Sequence, residues 1–370
     1  MHEGAMATMH MKACACLQPR IAACVRLLAA VAIVLWPVGA RAQTDDSVGV
    51  RAQGMAGAFT AVADDASATW WNPAGLGAWN SSGSAGGSYI NAILDLETLH
   101  DPSTDRAPDG KGVPAWRVGA GGFSVGSPAL GLSYYRLRIS EIQPISSIAG
   151  PGGGRQDQGI ADVYLRSLVL HQFGATVGQS VGEHLVIGST VKLIHASLGT
   201  SVRPAAGVSL DQAADLGGSG ETHAGVDIGA MASAGELRAG LTIRNLTEPE
   251  FGSGSDAVIL KRHARGGLAW LSGAHGALGT VTVSADADLT TQSTALGDER
   301  RVAAGAEAST RDRRLSVRGG VGTSTVGSPR TSVSGGLSAA IRRGSYVDVA
   351  VTGGPDQARR GWGLALRVTF

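Results

Sequence analysis

From residue 82 onward, apolar side chains alternate with small or polar ones in successive runs of about ten residues, the period of a strand whose two faces meet different surroundings. The clearest run is Gly279 to Thr290. Val281, Val283, Ala285, Ala287 and Leu289 share one face, and Thr282, Ser284, Asp286, Asp288 and Thr290 share the other. Val347, Val349 and Val351 stand in the same way against Tyr346, Asp348, Ala350 and Thr352, and Val333, Leu337, Ala339 and Ile341 against Ser332, Ser334 and Ser338. One face suits lipid and the other suits water, which predicts a transmembrane antiparallel β-barrel.

Dividing the chain at its turn residues predicts fourteen strands, near 82–92, 115–125, 130–141, 162–180, 185–199, 221–235, 236–247, 261–272, 278–290, 300–310, 313–322, 331–342, 345–353 and 360–370. Long connections at 93–114, 142–160, 200–220 and 248–260 alternate with short ones such as Gly126-Ser127-Pro128-Ala129 and Val181-Gly182-Glu183-His184. Bacterial outer-membrane barrels carry long loops outside and short turns on the periplasmic side, so both chain ends are expected in the periplasm. Trp362, Leu364, Leu366, Val368 and Phe370 repeat the alternation to the last residue, and Phe370 resembles the terminal aromatic that barrel assembly machinery recognises.

One stretch breaks the pattern. Residues 48–79 show no period of two; small residues lead into Asp64-Asp65, two tryptophans and Asn72-Pro73-Ala74-Gly75. Such a segment predicts a tightly packed plug with short helical turns, in which Gly54, Gly57 and Gly75 permit close approach. The order Gly54-Met55, Gly57-Ala58-Phe59, Ala61 through Ala68 and Asn72 through Leu76 resembles the N-terminal motif of the FadL/TodX and PorV-type outer-membrane proteins. The resemblance implies that this segment is a hatch filling the lumen of a fourteen-strand barrel. In the FadL branch such a barrel passes hydrophobic small molecules; in the PorV branch it binds or shuttles a secreted protein. The expected organisation is a signal peptide over 1–42, a plug over 43–81 and a barrel over 82–370.

The leader follows from the residues themselves. Arg20 and Arg26 precede the run Leu27 to Leu35, and Ala40-Arg41-Ala42 follows it, so cleavage is expected before Gln43. Cys14, Cys16 and Cys24 all leave with the leader, and the exported chain uses no disulfide. Taking Lys12, Arg20, Arg26 and Arg41 from 31 basic residues, and Glu3 from 30 acidic ones, leaves 27 and 29, a net charge near −2. That balance offers no footprint for nucleic acid. With 55 glycines and 16% charged residues, the composition fits neither a disordered chain nor a helical membrane protein.

Candidate chemistry is sparse. Asp64 and Asp65 lack a nearby His or Glu partner, so hydrogen bonding within the plug or pairing with a lumen Arg is expected rather than catalysis. Nine scattered histidines show no zinc spacing, and Gly150-Pro151-Gly152-Gly153-Gly154 lacks the Lys-Ser/Thr of a phosphate loop, so no metal and no cofactor are expected. Ser133, His171 and Asp162 can be combined into a triad only on paper, and the chain reads as a non-enzyme. The alternation assigns Lys192, Asp227, Arg238, Arg244, Asp286, Asp288, Asp348 and Arg367 to the lumen, because an Arg or Lys facing lipid at mid-depth costs roughly 2–4 kcal/mol. Trp70 and Trp71 are expected between plug and wall, and Trp270 and Trp362 in the interfacial belt.

Overall fold

The computed structural model describes residues 48–78, 90–100, 115–145, 162–253, 257–273, 278–294, 297–355 and 359–370. The signal peptide, the glycine run 150–154 and the expected strand residues 82–89 lie outside the described residues. Among the described residues three short helices come first: α1 (Val50–Gly54), α2 (Ala68–Trp71) and α3 (Ala74–Ala78). The wall is formed by β1 (Asn91–His100), β2 (Ala115–Ser127), β3 (Leu130–Ile145), β4 (Asp162–Val181), β5 (Leu185–Pro204), β6 (Ser219–Ala234) and β7 (Leu237–Arg244). It continues through β10 (His263–Ser272), β11 (Leu278–Asp288), β14 (Arg301–Thr310), β15 (Leu315–Ser324), β16 (Ser332–Arg342), β17 (Ser345–Gly353) and β18 (Gly361–Thr369). Two small hairpins, β8 (Glu250–Phe251) with β9 (Val258–Ile259) and β12 (Gln292–Thr294) with β13 (Gly297–Glu299), and helix α4 (Leu210–Ala214) occupy the long connections.

The fourteen wall strands form one closed barrel of antiparallel neighbours, sealed where β1 pairs with β18 from Asn91↔Thr369 to Leu99↔Gly361. Closure satisfies the backbone amides that lipid cannot, and it leaves no free edge. β4 and β5, at 20 residues each, exceed the nine to eleven residues that span a bilayer, so this side of the wall projects beyond the membrane at the long-loop end.

The pleat separates the faces as the alternation requires. On β11, Thr282, Ser284, Asp286 and Asp288 are buried inside, whereas Val283 is 47% exposed. On β18, Trp362, Leu364 and Leu366 face outward, and Phe370, just beyond the strand, is 77% exposed. Among the described residues no helix is long and apolar enough to cross a membrane; the strands are what provide an apolar outer belt.

The first strand departs from expectation. Sequence placed it at 82–92 with a loop from 93, but β1 spans Asn91–His100, with Leu94 and Leu96 outward and Asn91, Ile93 and Asp95 inward. The stretch 82–92 is mostly small and polar, whereas Ala92, Leu94 and Leu96 mark an outward face, and pairing to β18 and β2 selects the register.

Candidate functional site

Residues 48–78 are almost wholly buried within the barrel. Their helices are too short to stand alone; local hydrogen bonds and the wall hold them. Asn72 is the pivot. Its Nδ2 donates to the Thr60 carbonyl (2.9 Å) and to the Ala230 carbonyl on β6 (3.2 Å), and its Oδ1 accepts from Ala74 N–H (3.1 Å). Pro73 opens the turn into α3, and a Cβ at Gly75 would meet the Ala63 backbone. Gly57 adopts a φ of 82°, in the left-handed region that side chains disfavour. Met55 is fully buried, and its carbonyl lies where a Cβ on Gly305 of the wall would come within 2.7 Å. A side chain at that wall position would push the plug away.

Polar contacts tie the plug to the β10–β18 side. The Asp286 carboxylate accepts from the backbone N–H groups of Phe59 (2.9 Å) and Thr60 (2.8 Å), and Ser284 Oγ donates to the Ala58 carbonyl (2.7 Å). Arg51 on α1 meets Asp64, Asp65 (3.0 Å) and Glu307 of β14 (2.7 Å), with Phe59 under its guanidinium at 5.2 Å. Burial opposes the Arg51 charge, but Asp64, Glu307 and Asp65 together hold it more firmly protonated than in water. Within the plug, Asp65 also accepts from Ser67 N–H (3.0 Å) and Oγ, as the sequence suggested, and the arginine that Asp64 and Asp65 contact directly is Arg51 of the plug itself.

The lumen charges are enclosed, and several of them are paired. Lys192 Nζ lies 2.8 Å from Asp227 Oδ1 and 3.0 Å from Asn245 Oδ1. Arg265 (2.6 Å) and His263 (2.9 Å) converge on Asp288, and Arg367 reaches Asp348 at 3.1 Å. Arg244 stacks over Trp70 at 3.8 Å, and Trp70 makes an edge contact with Tyr135 of β3 at 5.3 Å. Arg238 is buried near the base of β7. Sequence reasoning missed Arg51, Glu307, Arg318, Arg265 and His263. On β14 the signal is faint, because the outward residues opposing Glu307 are Ala304 and Ala306, too small to mark a lipid face.

The opposite arc of the inner wall is apolar. Ladder register sets Ala120, Leu137, Leu170 and Ala196 side by side across β2 to β5, and Val118, Ile139, Leu168 and Leu198 form the next row. Trp116, Tyr135 and Ile194 extend this arc, and Phe251, Val258 and Leu260 of the β8–β9 insertion belong to the same buried cluster. Ser133 is inside, His171 outside and Asp162 near the long-loop end of β4, so the three do not meet. Among the described residues no group of three or more His, Cys, Asp or Glu is placed to hold a metal ion.

The family model described as "F plasmid transfer operon, TraF, protein" matches residues 89–294. No curated protein matches the chain. Among solved structures, the CymD monoaromatic hydrocarbon channel is 13% identical with a TM-score of 0.55, covering 89% of this chain and 98% of that one. The Ralstonia pickettii toluene transporter TbuX is 14% identical with a TM-score of 0.51, covering 88% and 98%. A deletion mutant of the TodX monoaromatic hydrocarbon channel is 12% identical with a TM-score of 0.51 and the same coverage. The chain thus has the TodX-type barrel fold that residues 54–76 suggested; the PorV-type branch of the resemblance draws no support from these likenesses.

Proposed function

Given that this chain belongs to the family described as "F plasmid transfer operon, TraF, protein", we propose that it is an outer-membrane barrel giving passive passage to hydrophobic small molecules, with both termini in the periplasm. The observation that carries this reading is the apolar arc of Ala120, Leu137, Leu170, Ala196 and their neighbours on the inner wall. Water-filled barrels line their lumen with polar side chains, and an apolar arc serves a solute that water does not. The compared barrels, described as hydrocarbon channels or a toluene transporter, support the same class of solute. In the observed state the plug and the β8–β9 insertion cover the arc, so passage requires them to shift.

Barrel insertion would rely on the assembly machinery reading the strand that ends at Phe370, and the outer-membrane lipid would contact Leu364, Leu366 and their outward neighbours. The test is uptake of labelled toluene, an alkane and a long-chain fatty acid by cells with and without the protein. Leu137→Asn with Leu170→Asn should lower uptake several-fold while membrane levels of the barrel stay normal. Unchanged uptake in cells lacking the protein would sink the transport reading.

The family description favours one second reading, a part in an envelope apparatus for plasmid transfer. On that reading, loss of the protein lowers conjugation frequency and leaves hydrocarbon uptake untouched.

A further inference from the structure

Outside the barrel, on β2 to β5, the apolar belt ends in an ordered step. Register places Phe123, Tyr134, Phe173 and Leu193 side by side, and directly above them, towards the long loops, Arg136, His171 and His195 form the next row. Phe123 and Tyr134 lie 5.8 Å apart, Tyr134 Oη is 2.7 Å from His171 Nδ1, and the His171 and His195 rings are 6.3 Å apart. Arg138 faces the same way one row higher, opposite Gly119, and Arg117 the row above that, opposite Ser140. Arg117 is held by Asp211 of α4 at 2.7 Å, and α4 rests on the outer wall with Ser167 Oγ near the Ala214 carbonyl (3.4 Å). Between α4 and the wall opens a cleft of about 410 Å³ lined by Arg117, Arg138, Ser140, Asp211 and Asp215. Among the described residues no carboxylate pairs with Arg136 or Arg138, and Arg138 Nε is buried without a hydrogen bond.

Arginine on a lipid-facing wall is disfavoured at mid-depth and tolerated at the headgroup level, and aromatic rings mark that level from below. A planar guanidinium pairs best with carboxylate or phosphate, which it can grip with two parallel bonds. Lipid headgroups at this height offer phosphate. We propose that the outer wall of β2–β5 is a docking site for a net-anionic lipid headgroup bearing phosphate monoesters, in the leaflet facing the long loops, gripped by Arg136 and Arg138 with its acyl chains lying over Phe123, Leu132 and Phe173. Asp211 is occupied by Arg117, and Asp215 is the other carboxylate at the cleft, so the phosphate sits on the Arg136 side. A free phosphate ion would gain nothing from the aromatic step, and this is why the ligand is a lipid.

The proposal rests on the outer-membrane part of the reading above. The purified barrel in neutral detergent would be titrated with a bis-phosphorylated glucosamine lipid, with phosphatidylcholine and with inorganic phosphate, and bound lipid counted by native mass spectrometry. The phosphorylated lipid should be retained selectively, and Arg136→Ala with Arg138→Ala should weaken it at least tenfold. Arg136→Lys with Arg138→Lys should retain part of the binding. Heat-modifiable gel migration checks that each variant is folded; if the Ala pair does not fold, loss of the adduct from the native barrel in 0.5 M salt is the deciding measurement. Equal retention by the folded Ala pair, equal binding of phosphatidylcholine or of inorganic phosphate, or salt-insensitive binding overturns the site. Binding in detergent reports on the site alone, whereas fractionation to another membrane would overturn the localisation, so the two failures are distinguishable.

Discussion

Arg51 of the plug and Glu307 of the wall are joined by an ion pair, Nη2 to Oε2 at 2.7 Å, and the same guanidinium gathers Asp64 and Asp65. Removing the cation leaves three carboxylates facing one another with little water to screen them. Arg51→Ala is expected to destabilise the barrel by about 3 kcal/mol and to raise single-channel conductance in planar bilayers, with Glu307→Gln milder on both. A closed, fully stable Arg51→Ala barrel would show that the plug is held by packing alone.

Asp286 accepts both the Phe59 and Thr60 amides. Asp286→Ala strands two buried donors, each costing about 1–3 kcal/mol, and denaturant unfolding should report a loss in that range. Both amides donate to the same oxygen, Oδ2, so Asp286→Asn, whose one acceptor oxygen can take its place, should lose clearly less. Equal losses for Ala and Asn would mean that the two hydrogen bonds are not what the site supplies.

Deleting residues 54–75 removes Met55, Phe59, Trp70, Trp71 and Asn72 from a lumen that fourteen strands make wide enough to hold water. The shortened protein should insert and conduct, with higher single-channel conductance and greater antibiotic sensitivity of the cells. An inserted but non-conducting deletion would place the barrier elsewhere, with the β8–β9 insertion the next place to cut.

Phe370 donates its backbone N–H to the Ile90 carbonyl (2.9 Å) while its ring stands outward, so its side chain adds little to closure within the barrel. Phe370→Asp should therefore lower the amount of assembled protein in the membrane far more than it lowers the stability of barrels refolded in detergent. Comparable losses in both measurements would make Phe370 a structural residue and not an assembly signal.

Thirteen of the strands were legible in the sequence because turns rich in glycine, proline or charge punctuate them and because valine or leucine marks the outward face, as at Val281 to Leu289. β1 was placed too early: Ala92, Leu94 and Leu96 mark only a short outward face, Ile93 stands among the inward residues, and only the partner strands fix where pairing runs. The motif from Gly54 to Leu76 was conspicuous for lacking strand period, yet the contacts that seat it were hidden. Glu307 lies more than 250 residues beyond Arg51 along the chain, and no local pattern reports a pairing that distant. The apolar arc was equally hidden, because an inward Leu137 beside an outward Arg136 inverts the usual order of a barrel strand.

The inner wall carries a charged side around β11 and β14, which holds Arg51, Phe59 and Thr60 of the plug, and an apolar arc on β2 to β5. If the proposed passage of hydrophobic solutes holds, what the barrel admits and part of what latches it are written in different strands. Exchanging Leu137, Leu170 or Ile194 would then change the admitted solutes while the latch at Asp286 and Glu307 stays untouched, with no interval in which the membrane leaks.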